Sequence, residues 1–192
     1  MTMISLHDRA LRRATEVIAG VEAADLLRPT PCAGWDLRAL LAHCIGQNHG
    51  FADAVAGPDA PPSAYAPRPP DPGAWEASAE RVRAAFRAAD PDRRVLLVEF
   101  GPDARFPVRN ALGFHLLDTV VHTWDVAAAL GQPFRPEDEL LTAVAEGAKQ
   151  VPTGAARERP GAAFGPVLDV PGDDPWTATL ARLGRVPLLL EA

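Results

Sequence analysis

Between residues 108 and 130 the chain is apolar almost all the way round a helix, yet four ionisable side chains are set into that segment in register. Leu112, Phe114, Leu116, Leu117, Val120, Val121, Trp124 and Val126 cover most of the circumference, so this is predicted to be a buried helix, stopped by Gly131 and Pro133. His115, Asp118, His122 and Asp125 follow at steps of three, four and three, which stacks them along a single stripe. Charge taken out of water without a partner is strongly unfavourable, so the stripe requires mutual pairing, water or a cation.

A single buried histidine would read as a satisfied internal hydrogen-bond network. An Asp-x-x-x-His pair inside a longer stripe reads differently, because two ligands one turn apart aim at the same point and need one more group from a facing helix. The helix predicted from the Asp36 cap to about residue 55 supplies it. Its apolar face is centred on Leu37, Leu41, Cys44, Phe51 and Val55, with His43 and Gln47 on one border, so His43 leans inward. His49 falls on the far side as a surface histidine, and His7 has no evident partner. His43, Asp118 and His122 form a set of two imidazoles and one carboxylate with coordination positions left open, as at a catalytic site. Such donors suit zinc first, with nickel, iron or manganese also fitting. His115 and Asp125 are left to orient a ligand or move a proton from behind it.

The rest of the chain reads as helices around this pair. Helical spacing covers residues 6–26, 72–89 and 137–150, with a last short helix over 176–183. Residues 94–100 and 105–108 can form a small hairpin. The stretch 57–73 holds seven prolines and is predicted to be an irregular surface loop, and 151–175 to cross the surface. The expected architecture is all-α, an antiparallel four-helix bundle with short extra elements over residues 1–150 and an irregular C-terminal tail over 151–192 packed on it.

Composition narrows the function. A net charge of -6 with no block of basic residues argues against nucleic acid and anionic membranes as partners. Two cysteines, Cys32 and Cys44, are too few for a disulfide scaffold. No signal peptide and no apolar run of membrane-spanning length stand out, so a cytoplasmic protein is expected. Cys32 reads as a small plug in the turn before the second helix, and Trp35 and Trp124 as packing residues.

Two blocks are recognisable. Pro29-Thr30-Pro31-Cys32-Ala33-Gly34-Trp35-Asp36-Leu37-Arg38-Ala39-Leu40-Leu41-Ala42-His43 resembles the TPC-x-GW-x-V-x-DLLAH stretch of the mycothiol-dependent maleylpyruvate isomerase family, a branch of the DinB-like metal-binding bundles. Asp118-Thr119-Val120-Val121-His122-Thr123-Trp124-Asp125-Val126-Ala127 resembles that family's E-x-x-x-H-x-WDLA block. The tail, Phe164-Gly165-Pro166-Val167 through Leu183-Gly184-Arg185, is similar to a short actinobacterial metal-binding subgroup.

The resemblance implies a DinB-like bundle with His43, Asp118 and His122 as ligands, mycothiol as thiol cosubstrate and a small electrophile as substrate. Asp118 stands where the family has a glutamate, and the further C-terminal domain of full-length isomerases is not expected here, so maleylpyruvate itself is not the expected substrate. Isomerisation and S-transfer are both open to an activated thiol. The alternatives are a non-catalytic metal-binding or regulatory bundle and a metal-dependent hydrolase, and a homodimer is compatible with either.

Overall fold

The computed structural model describes residues 2–57, 59–158 and 163–186. Among the described residues six α-helices carry the fold: α1 (Met3–Ile18), α2 (Leu37–Ala56), α3 (Ala74–Ala88), α4 (Val108–Ala129), α5 (Asp138–Gln150) and α6 (Pro175–Arg182). Strands β1 (Arg94–Leu96) and β2 (Arg105–Pro107) pair antiparallel with Val95 opposite Phe106. The expected all-α, DinB-like bundle is what the chain forms, with α1 to α4 as its four main helices.

Local chemistry fixes the ends of the two helices that matter most. Asp36 caps α2, its Oδ1 accepting from the Ala39 N–H at 2.8 Å, which satisfies one of the unpaired donors of the first turn. α4 ends in a Schellman motif: Gly131 takes φ +69°, its N–H donates to the Ala128 carbonyl at 3.0 Å, and that of Gln132 to Ala127 at 2.8 Å. Only glycine adopts that backbone without strain.

α4 is apolar all round because two cores meet across it. Val108, Ala111, Leu112 and Val126 belong with α1, α2 and α3, whereas Leu116, Leu117, Val120, Val121 and Trp124 pack toward α5 and α6. A helix covered on both sides meets water only at its first turn and at a few half-buried positions that include Asp118, so its buried polar groups must be satisfied internally.

The proline-rich segment departs from the expected surface loop. Ala60, Ala64 and Tyr65 are buried, and a short 3-10 turn at Pro62–Tyr65 lays the tyrosine ring on α2. A Cβ built at Gly50 would lie 2.2 Å from that ring, and one at Gly46 would lie 2.5 Å from the Ala66 carbonyl oxygen. These two helical glycines, unfavourable by propensity, are explained by a close approach that the linear pattern does not show.

Candidate metal centre

α2 and α4 lie against each other antiparallel: His43 faces His122, and five residues later on α2 Asn48 faces His115, seven earlier on α4. This brings the ligand atoms of His43, Asp118 and His122 within 4.8 Å of one another. His122 Nε2 lies 3.3 Å from Asp118 Oδ1, and the His43 and His122 rings meet edge to face at 5.2 Å between centroids. His122 is buried, while His43 and Asp118 are only half-buried, so the group opens on the side of the latter two. Trp35, just before α2, covers His43 with its ring centre 4.8 Å away.

Asp125 holds His122 from behind. Its Oδ2 lies 2.8 Å from His122 Nδ1, which assigns a proton to Nδ1 and aims Nε2 at Asp118 and His43. Asp125 has no exposed surface and is paired in turn with Arg185, whose Nη2 lies 3.0 Å from Oδ2 and whose Nε lies 3.4 Å from Oδ1. Sequence reasoning gave Arg185 no role: it lies beyond the 151–175 stretch expected to cross the surface, in the tail expected to pack on the bundle, and its side chain is turned inward. The signal was present in Leu183-Gly184-Arg185. Gly184, at φ +76°, ends α6 in a second Schellman motif, with the Gly184 N–H donating to Ala181 at 3.0 Å and that of Arg185 to Leu180 at 2.9 Å. A Cβ at Gly184 would lie 2.7 Å from the backbone of Gly165.

The electrostatics suit a cation. Burial alone would lower His122, but the Asp118 charge and the hydrogen bonds to Asp118 and Asp125 raise it well above the usual imidazole value. Burial would raise Asp118, and the neighbouring imidazoles hold it below the usual carboxylate range. His43 is lowered, mainly by burial against the attraction of Asp118. A donor set that captures a proton this firmly between carboxylates is also suited to a divalent ion. Cys44, by contrast, is pushed up to about 12 by burial, so its thiol stays protonated.

A second cluster, Cys32, His122 and Asp125, shares the same imidazole. The Cys32 thiol donates to Asp125 Oδ2 at 3.2 Å, and Arg185 Nη2 lies 3.7 Å from its sulfur. With His122 Nδ1 committed to Asp125 and a guanidinium already beside both other groups, this cluster is a poor cation site. Cys32 is nonetheless more than an apolar plug, because it completes the hydrogen bonding of Asp125.

His115 is placed differently from its stripe neighbours. Its Nδ1 accepts from His7 Nε2 at 2.9 Å, and its Nε2 donates to Asn48 Oδ1 at 3.0 Å. Asn48 Nδ2 continues to Ser78 Oγ at 2.9 Å, so the chain of bonds ties α1, α4, α2 and α3 together. His7, which had no evident partner in the sequence, is that partner. His49 is half-buried beside Arg81, 3.3 Å away.

Both members of the buried histidine pair are held neutral. Burial pushes His115 down to about 4, and burial together with His115 puts His7 well below the ordinary value of 6.5. The unfolded chain therefore binds protons that the folded chain does not, so stability is full above pH 6.5 and falls as pH drops toward 4. For His115 alone the loss across that window is on the order of 3 kcal/mol. Urea unfolding of the metal-free protein at pH 7, 5.5 and 4.5 is expected to show this decline, and the decline becomes shallower in His7→Leu. A pH-independent midpoint would contradict the assigned neutral pair.

Comparison with known proteins places these features. The sequence profile of the mycothiol maleylpyruvate isomerase N-terminal domain matches residues 7–127, which include His43, Asp118 and His122. Uncharacterized proteins from two strains of Mycobacterium tuberculosis are each 29% identical over 188 residues, 96% of this chain and 98% of theirs. Two crystal structures of the mycothiol-dependent maleylpyruvate isomerase, one of a point mutant, superpose with TM-scores of 0.60 and 0.61 at 15% identity, covering 81% of this chain and 67% of theirs. At that identity the likeness is one of fold.

Proposed function

Because this chain belongs to the mycothiol maleylpyruvate isomerase N-terminal domain family, we propose that it is a metal-dependent enzyme that activates mycothiol for addition to a small electrophile. The observation that carries the reading is the one-sided opening of the ligand group: His43 and Asp118 are half-buried, and His122 is buried and locked from behind by Asp125. A structural site would be closed by a fourth protein ligand.

His43, Asp118 and His122 would hold the metal, zinc in the first instance, given one carboxylate and two imidazoles. When bound, the ion would lower the pKa of the thiol from about 8.5 so that the thiolate is available at neutral pH. Asp125 keeps the His122 Nδ1 proton and fixes the ring, and Arg185 neutralises Asp125. Trp35 limits water on the His43 side. His115, with both ring nitrogens engaged, serves the assembly of the helices around the site.

With a conjugated cis-enone, the C–S bond forms at the β-carbon while the π pair moves to the carbonyl oxygen. Rotation and reversal then release the trans isomer and the thiol. With a leaving group on the electrophile, the same attack ends in an S-conjugate and a released anion.

Protein purified without a histidine tag is expected to contain about one divalent ion per chain. It should form thiol adducts from mycothiol and a model electrophile, lose that activity with chelator and regain it with zinc. Absence of adduct under every metal would refute the reading and leave a binding bundle, and release of a hydrolysis product instead would identify a hydrolase. No helix among the described residues is long and apolar enough to cross a membrane.

A further inference from the structure

The turn of the β1–β2 hairpin sits against one end of the α2–α4 pair that carries the ligand group. On α2, Gln47 lies one turn beyond His43, and on α4 Phe114 lies one turn before Asp118, each about 6 Å along its axis. Because the helices are antiparallel, both displacements run toward the same end. The turn between the strands spans them there: Gln47 Nε2 donates to Glu99 Oε1 at 3.0 Å, and the Phe100 ring stacks on Phe114 at 4.8 Å between centroids. Phe106 packs edge-on against both rings.

The wall so formed is aromatic on the α4 side and acidic on the α2 side. Phe100 is 52% exposed, and its stacked partner Phe114 is half-buried. Single exposed apolar residues are ordinary, but here the Phe114 and Phe106 rings brace Phe100 from behind, so one fixed ring face is offered one helical turn from Asp118. Glu99 keeps an exposed side chain; partial desolvation and the Asp118 charge raise it above the ordinary carboxylate value against the Gln47 hydrogen bond, which lowers it. A carboxylate brought in by a substrate would face the Glu99 charge on this wall.

We propose that this hairpin wall is the electrophile subsite, and that it takes an uncharged electrophile with a flat apolar body, lying on the exposed ring of Phe100, while rejecting anionic ones through Glu99. The inference rests on the thiol-transfer reading above and narrows its substrate class. Phe100 and Glu99 touch no ligand atom of the metal group and act on specificity alone.

The test compares benzylideneacetone with its 4-carboxy derivative, an electrophile pair that differs by one negative charge. With zinc-loaded protein and mycothiol, kcat/KM is expected to favour the uncharged compound by about tenfold or more. Glu99→Gln should narrow that ratio, and Phe100→Ala should raise KM for the uncharged compound by about tenfold with little change in kcat. Equal handling of the two compounds, or a ratio untouched by Glu99→Gln, overturns the proposal.

A second readout separates this inference from the catalytic reading. Calorimetric binding of the unreactive saturated ketone 4-phenylbutan-2-one and its carboxylate analogue needs no thiol. If no electrophile turns over but the uncharged ketone binds and Phe100→Ala weakens it, the thiol-transfer reading falls and the subsite stands. If neither ketone binds, the subsite is refuted whatever the activity.

Discussion

Replacing His122 with alanine is expected to lower affinity for zinc by more than about 100-fold, because in the proposed site this residue would be both a ligand and the point at which the supporting groups act on the ion. Its ring is buried between Asp118 at 3.3 Å and Asp125 at 2.8 Å. Removing it takes away one donor and leaves Asp125 to Arg185 and Cys32, with Asp118 deprived of the imidazole that it hydrogen-bonds. The metal-free protein is expected to lose about 3 kcal/mol as well, the usual consequence of breaking a buried charged pair on one side. His115→Ala provides the contrast. It should destabilise the fold by a few kcal/mol through the cavity and the unsatisfied Asn48, yet shift zinc affinity only slightly. Competition against a chelating dye, with urea unfolding of the same samples, measures both. Equal affinity losses in the two variants would mean that the metal is not held at His43, Asp118 and His122.

Arg185→Met is expected to be nearly as damaging although the residue lies 60 positions from its partner. It removes the guanidinium from a carboxylate with no exposed surface, leaving it His122 and Cys32, and breaking a buried charged pair on one side destabilises by about 3 kcal/mol. Because Asp125 fixes the His122 ring, zinc affinity should also fall, by about 10–100-fold. Arg185→Lys should rescue only in part, since one ammonium cannot reproduce contacts to both carboxylate oxygens. In the Arg185→Met, Asp125→Asn double variant much of the stability should return, because the orphaned charge is gone. A double-mutant cycle by urea unfolding reads the coupling directly. Additive effects would show that the pair does not act as a unit.

The two supporting roles also explain why part of the site was legible and part was not. The His43, Asp118 and His122 set follows from helical periodicity, since an i,i+4 pair and an inward border residue on a neighbouring helix are local properties. His115 shares the same stripe and the same residue type as His122, yet the ring across from it is His7 and not a ligand. Nothing in the spacing separates the two histidines. The Pro-rich stretch reads as surface by composition, and the burial of Tyr65 becomes visible only once α2 offers Gly46 and Gly50 beneath it.

What the sequence alone determined were the features governed within about twenty residues: the apolar circumference of α4 and its polar stripe, the Asp36 cap, the Gly131 stop, and the direction in which His43, Asp118 and His122 point. Tertiary structure decided what each of those groups meets. A helix fixes the angular position of its side chains through its own geometry, but the group that lies opposite depends on which helix packs there and at what height. Asp125 could therefore be recognised as needing a partner, while the identity of Arg185 depended on the chain running through α5 and α6 and back to the end of α4 before the two charges could meet.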